Sequence, residues 1–277
     1  MLRAASKLLG LSLILSHAAC GGALTEPFTP PESGGAPWVE VTSQHIVLRT
    51  DLPADEARDT CIEFERIYTM FEDIAFPYEE KPKVQTSIVL FRREAEYKAI
   101  GSPRGSTGYF HRALAIDDYF EPTAVFYGDL TAATRLTFQH ELTHRFIDFY
   151  FPKAPVWLHE GMASYYETMV VEDKRVVLGR DLPNRFFIGG LTWTFESTPL
   201  WPLIAHIPIA DAVRPSDLIK MDREEFYAAR AAASSPSEEV ERSRRQVANY
   251  TSAWGLVNLF LNGPDAYKER FADYLGK

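Results

Sequence analysis

His140-Glu141-Leu142-Thr143-His144 sets two imidazoles four residues apart with a carboxylate between them. On a helix the two histidines share a face, with their Cβ atoms about 5 to 6 Å apart. That is close enough to grip one zinc ion while Glu141 stands beside it. The chemistry of such a set is metal-assisted hydrolysis, in which the ion activates a water and the carboxylate accepts its proton. So short a pattern also arises by chance, so the elements around it have to decide. The competing reading is a pair of hydrogen-bonded core histidines. Two imidazoles and a carboxylate on one buried face are, however, costly to bury without a shared partner.

The pattern requires a helix, and residues 131–150 read as one. They hold no Gly or Pro, Asp129 or Thr131 can cap the start, and Pro152 ends the run. Ala132, Leu136, Phe138, Leu142, Phe146, Ile147 and Phe149 make it apolar on every side, so the helix is expected in the interior. The best third ligand is Glu160 in Pro155-Val156-Trp157-Leu158-His159-Glu160-Gly161-Met162-Ala163-Ser164-Tyr165-Tyr166-Glu167, with Pro155 at the first position of a second helix. The link between the helices is short, which favours an antiparallel pair. At 1.5 Å per residue, His144 lies roughly 9 Å back from Tyr150 and Glu160 roughly 7.5 Å beyond Pro155, so the two come level. Glu167 shares the face of Glu160 about 10 Å further on and suits a supporting role. His159 is turned about 100° away and suits the rim or the core. Asp148, one turn after His144, is either a residue that orients a ligand or a surface carboxylate.

HELTHRFIDFY resembles the HELTH helix of thermolysin-like proteases, and WLHEGMASYYE is similar to the WLNEGFASY segment of aminopeptidase N-like enzymes. Both are gluzincin metallopeptidases. The resemblance implies His140, His144 and Glu160 as zinc ligands and Glu141 as the catalytic base. Fifteen residues separate His144 from Glu160, fewer than in the aminopeptidase N-like pattern. The closer likeness is to the peptidase MA-like group of bacterial envelope proteins, which implies a zincin-like catalytic domain from Trp38 onward. Gluzincins place a Tyr or His on a later helix to hydrogen-bond the oxyanion, and Tyr250 is the nominee, against the alternative that it is core beside Trp254 and Val257. In that group an edge strand beside the zinc pairs with an extended peptide; Gly108-Tyr109-Phe110 or 124–128 is the expected strand. A metzincin would need Gly at 147 and His at 150, where this chain has Ile147 and Tyr150.

A hydrophobic share of 46% with 24% charged residues allows a full core. A net charge of −9 argues against nucleic acid as a partner. Arg3 and Lys7 precede the apolar run 8–15, which is too short to span a membrane. Ala18-Ala19-Cys20-Gly21 follows as in a secretory leader and resembles a lipobox, with Cys20 lipidated and only that lipid touching the membrane. His17 departs from the aliphatic residue usual there, which keeps plain secretion as the alternative. With Cys20 lipidated, Cys61 stands alone. Residues 1–20 are thus read as leader, 21–37 as a Pro/Gly-rich tether, and 38–277 as the enzyme, with 38–180 carrying the sheet and zinc helices and 181–277 mostly helical.

The coarse pattern is a strand over 39–49, a helix over 54–74, a strand over 86–91, a helix over 93–100, and strands over 108–116 and 124–127 ahead of the zinc helix. Strands that precede the helices bearing the chemistry make the class α+β. Ser235-Pro236-Ser237-Glu238 signals a helix start, with Gly263 as its stop. The expected function is a zinc peptidase of the cell envelope acting on peptide or protein. Two alternatives stand beside it: a catalytically silent zinc-binding lipoprotein serving as a binding or assembly module, and a zinc amidase acting on cell-wall peptides.

Overall fold

The structure, a computed structural model, describes residues 29–102, 108–111, 122–128, 132–172, 175–178, 185–188, 191–194, 212–227 and 235–276. The leader, Cys20 and the first part of the tether lie outside them. Among the described residues, no helix is long and apolar enough to cross a membrane.

Strands β1 (Val39–Thr42), β2 (Ile46–Thr50), β3 (Thr86–Phe91), β4 (Gly108–His111) and β5 (Thr123–Tyr127) form a five-stranded sheet in the order β1-β2-β3-β5-β4. The central pairs β2–β3 and β3–β5 are parallel, while β1 and β4 close the edges antiparallel. With helices α1 (Ala54–Met70), α2 (Glu94–Ala99), α3 (Ala132–Tyr150) and α4 (Val156–Tyr166), the mixed sheet makes the expected α+β fold.

Period-two alternation sorts the strand side chains onto two faces. Ile88 and Leu90 of β3 and Ala124 and Phe126 of β5 join the main core under α1 and α3. Phe91 and Val125 face the other way, onto Tyr97 of α2, with Trp38 and Tyr127 around them. On the main face α1 and α3 meet through aromatic pairs, Phe64–Phe138 at 4.4 Å and Tyr68–Phe146 at 5.1 Å between centroids.

The strand expected over 39–49 is a hairpin. Its turn is fastened from outside by Glu65 of α1, whose carboxylate accepts from Ser43 Oγ (2.6 Å) and from the His45 amide (3.1 Å). Of the two segments expected at the edge, only Gly108–His111 is there, because β5 has a partner on each side. Gly108 is tightly required. A Cβ there would meet Phe126 Cδ1 at 2.1 Å and Thr137 Cγ2 of α3 at 2.9 Å. The edge strand thus rests on α3 one turn before His140.

Beyond α4 come two hairpins, β6 (Val170–Glu172) with β7 (Arg175–Val177) and β8 (Arg185–Ile188) with β9 (Leu191–Thr194). Neither was among the expected strands, and the second lies in the part expected to be mostly helical. Among the described residues four helices follow: α5 (Pro215–Leu218), α6 (Arg223–Phe226), α7 (Pro236–Asn262) and α8 (Asp265–Leu275). Ser235 caps α7 by accepting from the Glu238 amide at 3.3 Å, with Pro236 at the first position, as its sequence announces.

Candidate metal centre

α3 starts at Ala132 and ends at Tyr150, two residues short of Pro152. α4 follows with Pro155 as its N-cap rather than its first helical residue, the Pro155 carbonyl taking the amides of Leu158 (3.0 Å) and His159 (3.2 Å). Every residue of α4 is buried, because it lies between α3 and α7. Gly161 permits that second contact. A Cβ at this position would meet Ala253 O of α7 at 2.6 Å and Val257 Cγ2 at 2.8 Å. The residue after Glu160 therefore has to be glycine for the two backbones to approach this closely.

The helix pair brings His140, His144 and Glu160 together, one potential ligand atom from each lying within 4.8 Å of the others. His140 Nε2 is 3.4 Å from Glu160 Oε2, and His144 Nε2 is 3.8 Å from Glu160 Oε1. The two imidazoles stand nearly perpendicular, 84° between planes and 4.9 Å between centroids. His140 and Glu160 are buried and His144 is half-buried. Glu141 is buried beside them on α3.

Glu167, one residue past the end of α4, takes the supporting position expected of it. Its Oε2 lies 2.8 Å from His140 Nδ1. An ionised carboxylate only accepts, so Nδ1 is the donor in that bond, and in a neutral ring Nε2 would keep the lone pair that a metal needs. Antiparallel packing explains the match: His140 is one turn further from the link than His144, and Glu167 is correspondingly further than Glu160. His159 turns away from the triad, with Nε2 3.6 Å from Asp148 Oδ1 and its ring 5.8 Å from that of His144. Asp148 therefore pairs with a neighbour of the ligand helix.

The electrostatics of the group call for a cation. Burial opposes the charge on Glu160, yet His144, His140 and Tyr227 hold its carboxyl far below the ordinary range. Burial also opposes a proton on His140, but Glu160 and Glu167 outweigh it and pull the imidazole well above its usual value. Burial pushes the Glu167 carboxyl up, against the pull of His140. Two carboxylates thus converge on one buried imidazole, and without a metal a proton has to fill the place of the positive charge.

The donors fit a metal ion. Glu160 Oε2 is buried with no hydrogen-bond partner among the described residues, which is expensive unless a cation completes it. Two imidazoles and one carboxylate suit a borderline transition ion, and three protein ligands are the complement of an open catalytic site.

Tyr250, the nominated oxyanion donor, is buried in the core with its ring 5.2 Å from Phe226. A tyrosine hydroxyl that does reach a triad residue is that of Tyr227, which donates to Glu160 Oε1 and which the sequence did not single out. The available signal was local: Asp222, three residues before Glu225, caps a short helix by accepting the Glu225 amide at 2.8 Å, and the helix ends in Phe226-Tyr227. Nothing in that signal tells where the tyrosine points.

No family model, curated protein or solved structure matches this chain. The reading of the site therefore rests on its geometry.

Proposed function

We propose that the chain is a zinc-dependent peptidase with a zincin-like catalytic domain of the gluzincin type. The observation that carries this is the convergence of His140, His144 and Glu160 from two consecutive buried helices, with Glu160 Oε2 lacking a hydrogen-bond partner among the described residues and Glu167 Oε2 2.8 Å from His140 Nδ1. Bound by these three residues, zinc supplies a Lewis acid and a coordinated water whose pKa falls to about 7. Glu141 takes the proton given up as the water oxygen bonds to the scissile carbonyl carbon. It then passes that proton to the leaving nitrogen as the C–N bond breaks. Among the described residues β4 stands at the sheet edge and lies against Thr137 of α3, the kind of position at which an extended peptide adds to a sheet. An intact base next to the ligands favours an enzyme over a purely structural ion site, which is usually closed by four protein ligands.

The test is metal content by mass spectrometry beside hydrolysis of an unfolded protein substrate. Wild type should hold one zinc and cleave. Glu141→Gln should keep the zinc and lose at least about 10²- to 10⁴-fold in rate, because an amide cannot accept the proton. Glu160→Ala should lose metal and activity together. Wild type that holds zinc and cleaves nothing across a broad peptide library would replace this reading with a binding module. Cleavage confined to cell-wall peptides would replace it with an amidase.

A further inference from the structure

The Glu160 carboxylate is shared between two parts of the molecule that are far apart in sequence. Its Oε1 accepts from the Tyr227 hydroxyl across 67 positions and lies 3.8 Å from His144 Nε2, while its Oε2 is buried with no hydrogen-bond partner among the described residues and lies closer to its imidazole, 3.4 Å from His140 Nε2. The tyrosine is held from behind. Phe226 is fully buried, its carbonyl accepts from Asn249 Nδ2 at 3.0 Å, and its ring stands between Tyr250 at 5.2 Å and Tyr227 at 5.4 Å. Asn249 and Tyr250 both belong to α7, whose backbone presses on Gly161 beside Glu160. A hydroxyl bonded to a carboxylate is short and strong, and one mounted on a packed ring has little freedom to follow if the carboxylate turns.

We infer that Tyr227 is the positioning residue of Glu160: it occupies Oε1, so that the carboxylate presents Oε2 alone to the metal. This rests on the proposed reading of His140, His144 and Glu160 as ligands. It assigns α6 and α7 a role in the centre although they contribute none of the three ligands. Tyr227 acts through Glu160 and takes no part in moving the proton that Glu141 handles. With the hydroxyl removed, both carboxylate oxygens are free to turn toward the ion, and the preset geometry is lost. Groups that orient a ligand in this way typically change metal affinity by about 10- to 100-fold when removed.

The experiment uses the full chain and zinc itself. Zinc affinity is measured by competition with a chelator of known strength, and X-ray absorption at the zinc edge reports how many carboxylate oxygens touch the ion. Tyr227→Phe should bind zinc about 10- to 100-fold more weakly and shift the spectrum from one-oxygen to two-oxygen coordination. Asn249→Ala keeps the hydroxyl but releases its anchor, and should weaken binding in the same direction by less. This second variant stands in if Tyr227→Phe does not fold. Wild-type affinity with an unchanged spectrum in a folded Tyr227→Phe, or in Asn249→Ala when it stands in, would overturn the inference and leave the metal reading intact. Wild type that takes up no zinc would overturn both.

Discussion

On the side of α3 that carries Phe138, Leu142, Phe146 and Tyr150, each ring leans on several others. Phe146 alone lies 5.1 Å from Tyr68, 5.0 Å from Phe76 and 6.0 Å from Phe71. On the side of His140 and His144 the contacts are specific atom pairs, such as His140 Nδ1 with Glu167 and Glu160 Oε1 with Tyr227. Dispersion and burial are non-directional, so the apolar side tolerates a volume-conserving change by repacking around it, though not the loss of a ring. Hydrogen bonds to buried charges are directional, so the polar side has no substitute for a lost partner. One helix therefore divides its two duties by face. Its aromatic stripe packs the core, and its imidazole stripe faces the proposed metal centre.

The largest effect that can test this division is on the aromatic side. Phe146→Ala should cost about 3 to 5 kcal/mol of unfolding free energy, read as a shift of the urea midpoint. Zinc bound per folded molecule should stay the same. A variant that unfolds at the wild-type midpoint yet loses its zinc would break the division.

Next in size is Glu167→Ala on the polar side. Zinc affinity should fall about 10- to 100-fold, equivalent to roughly 1.4 to 2.8 kcal/mol. The urea midpoint of the metal-free chain should move less, because a carboxylate that burial disfavours is removed along with its hydrogen bond. If the metal-free midpoint falls as far as in Phe146→Ala, Glu167 belongs to the core and not to the centre.

The smallest effect lies away from α3, at the turn between β1 and β2, where polar pairing serves the fold alone. Burial opposes the charge on Glu65, but Ser43 and His45 outweigh it and hold the carboxyl below its ordinary range. A depressed carboxylate contributes stability above its unfolded pKa, about 4.3, and that contribution is lost as the pH falls through the lower folded value. In metal-free protein, wild type should be more stable than Glu65→Gln at pH 7 by about 1 kcal/mol, since the group is half-buried and still partly screened by solvent. The gap should close as the pH drops below about 4. A gap that widens on acidification would show that the turn is held by something other than this carboxylate.

Legibility in the sequence followed the range of the interactions. α3 was visible because Pro152 and an uninterrupted apolar run mark it locally, and Glu160 followed from helix rise and a short link. Glu167 was placed by the same arithmetic. The hairpin in 39–49 was not visible, because the residue that fastens its turn is Glu65, on another element. Which segment stands at the edge of the sheet was open between Gly108-Tyr109-Phe110 and 124–128, since strand order is fixed by pairing across the sheet. Tyr227 was missed for the same reason in stronger form: its helix start is written in Asp222 and Glu225, but its destination depends on where α7 packs against Gly161.

The placement of the three proposed ligands also bears on the order in which the chain assembles. His144 and Glu160 are 16 positions apart, whereas Glu160 and Tyr227 are separated by 67. Loop-closure entropy grows as about 1.5RT ln n, so the longer closure costs roughly 1.3 kcal/mol more than the shorter. A nascent α3–α4 hairpin can therefore gather its imidazoles and carboxylate before the C-terminal helices arrive. An ion captured at that moment would clamp the hairpin and give α7 a finished surface on which to dock.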